Sequence, residues 1–156
     1  MNQKENFMRE AIRLSIRNVY EGGGPFGAVI VKDNKVIARG VNRVVPGNDP
    51  TAHAEVCAIR EACQKLQTYD LSGCEIYSSC EPCPMCLAAI YWAHLDRLYF
   101  ANTKDDAKRI GFDDSMIYEE ISRPLIQRRL PSESFLRDEA LQAFRIWDEK
   151  ADKVEY

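Results

Sequence analysis

Positive charge is in slight deficit: 21 lysines and arginines against 24 aspartates and glutamates leave the 156-residue chain at −3. No basic run or tail is present, so the sequence advertises no large polyanion partner. Long apolar runs are missing as well. The longest, 86–93, is far short of the ~20 residues that cross a bilayer. The opening residues, Met-Asn-Gln-Lys-Glu-Asn, are polar and charged and hold no apolar export core. Six cysteines without an export signal are therefore not read as a disulfide framework. A reducing cytoplasm is expected, with Cys57, Cys63, Cys74 and Cys80 as small buried hydrophobes. No internal repeat, low-complexity tract or linker interrupts the chain. Gly22-Gly-Gly-Pro-Phe26-Gly27 is Gly-rich, yet it lacks the Gly-x-Gly-x-x-Gly spacing of a phosphate cradle and leads into a strand. It reads as backbone brought close to a ligand or as a tight turn, with Phe26 a lid or wall over a flat base. A hydrophobic content of 46% excludes a mainly disordered chain, and the length fits one domain with its own core.

The chemistry lies in two short stretches, Asp49-Pro-Thr-Ala-His53-Ala-Glu55 and Cys80-Glu-Pro-Cys83-Pro-Met-Cys86. His53, Cys83 and Cys86 form a zinc-type donor set. Three protein ligands leave the fourth tetrahedral position to water, the layout of a catalytic zinc. Water on such an ion ionises near neutral pH. His53 and Glu55 stand two apart and point in different directions, one toward metal and the other toward substrate. Cys83 and Cys86 stand three apart, so both thiolates reach one point from the first turn of a helix. Pro84 suits that start, because the first helical residue needs no N–H. The exposed amides there favour the thiolate form. The rival is a structural zinc clip with Cys80 as fourth ligand.

Period-3.6 patterning predicts a helix over 4–20, with Phe7, Met8, Ala11, Ile12, Ser15, Ile16 and Val19 facing the core. A hairpin over 27–39 follows, turning at Asp33-Asn34, and a loop over 44–50. Asn42 ends the hairpin, either as a turn residue bonding its own backbone or as an amide that reads a base edge. A helix over 52–66, capped by Asp49 or Thr51, carries His53 and Glu55 in its first turn. A strand over 74–79, the metal loop with its helix to about 92, and a strand over 97–101 follow. This alternation implies a sheet covered on both faces, with parallel pairs across the helical crossovers. Beyond it we expect a short helix over 103–110, a turn over 111–115, a helix or strand over 116–121 and an edge strand over 125–129. A closing helix over 138–153 should present Leu141, Phe144, Trp147, Ala151 and Val154 as a packed stripe.

His53-Ala-Glu55 followed by Pro82-Cys83-Pro-Met-Cys86 is the H-x-E…P-C-x-x-C pattern of zinc deaminases, whose Glu is not a ligand. The sequence therefore resembles the cytidine deaminase superfamily. Within it, the blocks 48–55, 79–93 and Gly111-Phe-Asp-Asp114-Ser-Met-Ile-Tyr118 are similar to the bacterial guanine deaminases. The likeness runs from the first helix to Lys153-Val-Glu-Tyr156. The first two blocks are partly shared with tRNA adenosine deaminases; Tyr91-Trp92 and the 111–118 block carry the narrower likeness.

The resemblance implies one zinc-dependent domain over 1–156, a three-layer α/β/α sandwich with a mixed sheet of about five strands. It implies one zinc per subunit on His53, Cys83 and Cys86, with Glu55 as proton shuttle. It implies conversion of guanine to xanthine and ammonia, with Asn42 and Asp114 at the base-recognition positions and Phe26 and His53 flanking the purine. It also implies a homodimer whose C-terminal segment, about 131–156, is exchanged and brings Tyr156 over the pocket. Alternatives stay open. Asp113 competes with Asp114. The substrate could be guanosine, an aminotriazine or tRNA adenosine. A zinc-stabilised module that binds a nucleobase without releasing ammonia is the non-enzymatic rival.

Overall fold

The first helix starts where an asparagine can satisfy an orphan amide. The Asn2 side chain accepts from Lys4 N, and α1 runs Gln3–Tyr20. This is a computed structural model describing residues 2–156, and it divides into two compact units, Met1–Asp114 and Ser115–Tyr156.

In the first unit, β1 (Gly27–Lys32) and β2 (Lys35–Val41) form the expected hairpin. Asp33 and Asn34 both take positive φ, 48° and 60°, the backbone that a two-residue turn needs to match strand twist. A four-residue helix, α2 (Val44–Gly47), occupies the predicted loop. Then come α3 (Ala54–Leu66), β3 (Cys74–Cys80), α4 (Pro84–Trp92), β4 (Arg97–Asn102) and α5 (Lys104–Arg109). The sheet order is β2-β1-β3-β4. β1 pairs antiparallel with both neighbours, and β3 and β4 run parallel across the α4 crossover.

Both faces of the central strands β1 and β3 are buried, and the alternation along them says which helix covers which. Ala28, Ile30 and Ile76 point to one face, with Ala54, Ala58 and Ala62 of α3 and Ile90 of α4. Val29, Val31 and Tyr77 point to the other, against Phe7 and Leu14 of α1. The three layers are therefore α1, sheet, and α3 with α4, and two buried faces account for the apolar runs in β1 and β3. The small residues of α3 let it lie close on β2: a Cβ on Gly40 would overlap Ala54 O.

Four expectations need correction. The sheet has four strands among the described residues. The fifth, expected over 125–129, is instead a 3-10 turn, Leu125–Gln127. On α1 the buried positions are Phe7, Ala11, Leu14, Ser15 and Asn18, whereas Ile16 and Val19 are exposed. The face is rotated toward Leu14 and Asn18. α3 starts two residues later than expected and has neither Asp49 nor Thr51 as its cap. Those two residues bond each other instead.

The second unit holds α6 (Ser115–Ser122), the 3-10 turn and α7 (Arg137–Glu149). Ala151 and Val154 lie past the end of α7, and Phe144 and Trp147 are exposed. No residue of 115–156 is buried. Among the described residues no helix is long and apolar enough to cross a membrane.

Candidate metal centre and base pocket

One end of the sheet gathers the chemistry. There β1 begins and β2, β3 and β4 finish, with Gly27 beside Val41 and Cys80 beside Asn102. Ligands in open α/β sheets gather at the carboxyl ends of strands. The chain leaves β2 through Asn42 and is tied to the segment before α3 by Arg43 N donating to Ala52 O, 2.8 Å. His53 is the N-cap of α3 and Cys83 the N-cap of α4. Both caps are extended, and neither side chain spends itself on a capping bond. Two helix N-termini thus meet with their cap side chains free for other work. Pro84 takes the first helical position, and the following turn returns Cys86 to the same point.

The donors fit zinc. His53 Nδ1 lies 3.5 Å from Cys83 Sγ and 3.4 Å from Cys86 Sγ, and the ligand atoms of all three residues lie within 4.8 Å of one another. A tetrahedral ion with bonds of 2.3 Å to sulfur and 2.0–2.1 Å to nitrogen sets its S and N donors about 3.5 Å apart. Proton sharing points the same way. The Cys86 thiol donates to Cys83 and, with His53, holds Cys83 well below the usual thiol range. The same bond and burial push Cys86 up, and His53 is raised chiefly by its bond to Cys83. Groups that compete this closely for protons exchange them for a divalent cation. Cys80 stands outside the set. Its thiol is aimed at Thr103 O, 3.7 Å away, and burial pushes it up to about 11. A four-ligand clip built on Cys80 finds no support.

Glu55, in the first turn of α3, is 5% exposed. Burial raises its pKa, while the adjacent Cys86 thiol and a bond from its own backbone amide oppose the shift. A carboxyl whose pKa is raised by burial, next to a metal donor set, is suited to carry protons.

Asn42 is buried at the end of β2. Its Oδ1 accepts from Val44 N, 3.2 Å, and its own N–H donates to Phe26 O, 3.2 Å. Phe26 packs edge-on against Phe112, with ring centroids 4.9 Å apart. Phe112 arrives there because Gly111, at φ 99°, reverses the chain past α5. Phe112 N then bonds Ala107 O at 3.0 Å, closing a Schellman-type cap. The two aspartates that follow diverge. Asp113 is exposed and 3.7 Å from Lys108 Nζ. Asp114 is half-buried, its pKa raised by burial and then by the Cys83 charge. His53, Glu55, Cys83, Cys86, Asn42, Phe26 and Asp114 all belong to the first unit. Tyr156 belongs to the second and is exposed.

Three contributors escaped the sequence reading. Phe112 lay inside a recognised block without any periodicity to single it out. Ser79, whose Oγ accepts from Gly27 N at 3.0 Å, looked like ordinary strand. Asn18 left one signal: a polar side chain four positions after Leu14 and seven after Ala11, on the buried face of α1.

The family described as the cytidine and deoxycytidylate deaminase zinc-binding region matches residues 1–102. The chain is 51% identical to the guanine deaminase of Bacillus subtilis, over 97% of this chain and 98% of that one. The X-ray structure of guanine deaminase from that organism superposes with a TM-score of 0.96 at 51% identity, covering 100% of this chain and 99% of the other. A tRNA-specific adenosine deaminase from Aquifex aeolicus is 36% identical over 88% of each chain.

Proposed function

The chain belongs to the cytidine and deoxycytidylate deaminase zinc-binding family, and on that premise we propose that it hydrolyses guanine to xanthine and ammonia. The whole-length likeness to a guanine deaminase carries this reading. His53, Cys83 and Cys86 would hold the zinc, which supplies Lewis-acid activation of water at neutral pH.

The other steps fall to side chains of the chain itself. Glu55 takes a proton from the attacking water and gives one to the ring nitrogen beside the aminated carbon, which makes that carbon electrophilic. It then takes the remaining hydroxyl proton and delivers it to the departing amine, so the C–N bond breaks as the C=O forms and water and guanine leave as xanthine and ammonia. Burial suits Glu55 to this, because raising a carboxyl pKa toward the working pH makes it a better base for the water proton. Guanine presents N–H donors at N1 and the 2-amino group, which want an acceptor, and Asp114 supplies the carboxylate. O6 and N7 want a donor. With Oδ1 of Asn42 bonded to Val44 N, its NH2 is the group left to give one. Phe26, braced by Phe112, forms the wall beside the ring, with His53 across from it. A pocket built on those bonds rejects analogues that lack them by large factors.

The active species in this reading is a homodimer acting in the cytoplasm, each chain one functional domain whose segment from about 131 to 156 is exchanged. Two observations favour it. Residues 115–156 bury no side chain of their own, while Phe144, Ile146 and Trp147 on α7 stay exposed. Apolar surface of that extent calls for a partner, and a second copy is the simplest. All six cysteines are free, which suits a reducing compartment. Tyr156 then closes the partner's pocket. Trimming the last few residues should lower turnover more than thermal stability, and light scattering should give the mass of two chains.

The deciding experiment is ammonia release by zinc-loaded protein from guanine, guanosine, adenine, cytosine, cytidine and tRNA, with Glu55→Ala in parallel. Guanine turnover that disappears in the variant is the expected result. Full zinc occupancy with no ammonia from any substrate would refute the reading.

A further inference from the structure

Asn18 is 1% exposed, a buried amide on the face of α1 that otherwise presents Phe7, Ala11, Leu14 and Ser15. A buried carboxamide is costly unless its groups are paired. Asn18 Nδ2 is fully used: it donates to Gly24 O at 2.8 Å and to Asn42 O at 2.9 Å. Its backbone carbonyl meanwhile accepts from Gly23 N at 2.9 Å. One residue of the first helix therefore ties down the Gly-rich loop that delivers Phe26 and the strand end that delivers Asn42.

The packing around this junction is tight from every side. A Cβ on Gly23 would collide with Asn18 Nδ2 and stand 2.6 Å from Asn42 O, and one on Gly24 would stand 3.1 Å from the Asn42 side chain. Asn42 is thus held at three points: its N–H by Phe26 O, its Oδ1 by Val44 N, and its carbonyl by Asn18. Only the last comes from a residue remote from both pocket segments.

We propose that Asn18 is a positioning residue for base recognition, fixing the Asn42 carboxamide and the Phe26 wall through the paired bonds to Gly24 O and Asn42 O. The inference rests on the proposed role of Asn42 in reading the purine. Asn18 touches neither substrate nor metal in this scheme. It acts through Asn42, so its loss weakens binding of the base and spares the chemistry at Glu55.

The test is steady-state kinetics on zinc-loaded Asn18→Leu, Asn42→Ala and the double variant. Leucine keeps the volume and removes both bonds. Two lost bonds of ordinary strength predict a KM for guanine raised roughly tenfold. We expect kcat within about threefold, unchanged zinc content, and no further rise when Asn18→Leu is added to Asn42→Ala. A purely structural Asn18 would lower thermal stability and leave KM in place, or add its full effect on top of Asn42→Ala; either overturns the inference. If Asn42→Ala itself leaves KM unchanged, the role of Asn42 fails. If Asn42→Ala raises KM and Asn18→Leu does not, only the Asn18 inference fails. Should Asn18→Leu not fold, Gly23→Ala strikes the same junction from the loop side. The same KM rise is then expected, and its absence counts against the proposal equally.

Discussion

Gly40→Ala tests how the fold reaches the metal. Gly40 lies in β2 under α3, and an added Cβ would overlap Ala54 O, stand 2.5 Å from Ala58 N and 3.0 Å from Ala58 Cβ. Ordinary contact begins near 3.4 Å, so α3 must retreat by about 1 Å or the strand must bow. The opposing atoms are helix backbone, which cannot swing aside as a side chain can. Overpacking of this kind costs about 1–3 kcal/mol, or roughly 3–10 °C in Tm for a domain of this size. The functional loss should be larger in proportion. α3 carries His53 at its cap and Glu55 in its first turn, while both cysteines ride on α4. A retreat of α3 pulls His53 and Glu55 away from Cys83 and Cys86. Misplacement by about 1 Å costs on the order of 100-fold in rate. The assays are thermal unfolding, zinc retention against a chelator, and guanine turnover. Gly47→Ala is the control, since its new Cβ meets only Arg43 Cβ at 3.9 Å and should change none of the three. A Gly40→Ala protein with unaltered Tm, zinc retention and turnover would refute the packing argument.

Glu55→Gln keeps shape and removes the proposed proton carrier: turnover should fall by about 100-fold or more with zinc content intact, read by kinetics and metal analysis. Cys80, with its thiol pushed up to about 11 by burial, should have roughly one thiolate in a thousand at pH 8. It should therefore resist alkylation in the folded protein, and Cys80→Ala should retain zinc; rapid labelling by mass spectrometry would count against the assignment. Asp114 has a folded pKa raised by burial, so the fold favours its protonated form. That contribution is present below the ordinary aspartate value and is lost as pH rises through the higher folded value. Asp114→Asn should therefore stabilise the protein above that window and not below it, while raising KM for guanine; unfolding curves at several pH values together with KM decide both halves. A chelator that strips the metal should abolish turnover and lower Tm, since bound metal is linked to the folded state, and added zinc should restore both.

The first unit was readable because its rules are local and repeated. Short runs in 27–32 and 74–79 and the helical pattern in 54–66 each point to one element, and the two central strands are buried on both faces, so their runs hardly alternate. The metal set was readable for a different reason: two short stretches specify ligands and spacing together. Element boundaries were less legible. Asp49 and Thr51 are good capping residues by type, yet they satisfy each other at 2.8 and 2.6 Å, and the helix begins after the histidine. The displacement has a chemical consequence. Had His53 lain inside the first turn, its backbone would be helical. As the cap it stays extended, and its ring turns toward the cysteines.

The parts that escaped are those whose meaning lies in contacts remote in sequence. Asn18 is 24 positions from Asn42, and no window of helical or strand period links the two. Phe112 matters through Phe26, again with no local pattern. The stretch 125–129 departs from the expected edge strand for a related reason. An apolar-then-basic run resembles an edge strand, but a strand exists only by pairing. Here the Arg128 side chain instead bonds Glu120 O and Arg123 O, and Arg129 N bonds the Glu120 carboxylate. Glu120 thus meets the Arg128 side chain through its carbonyl and the Arg129 amide through its carboxylate, and Leu125–Gln127 turns in 3-10 geometry.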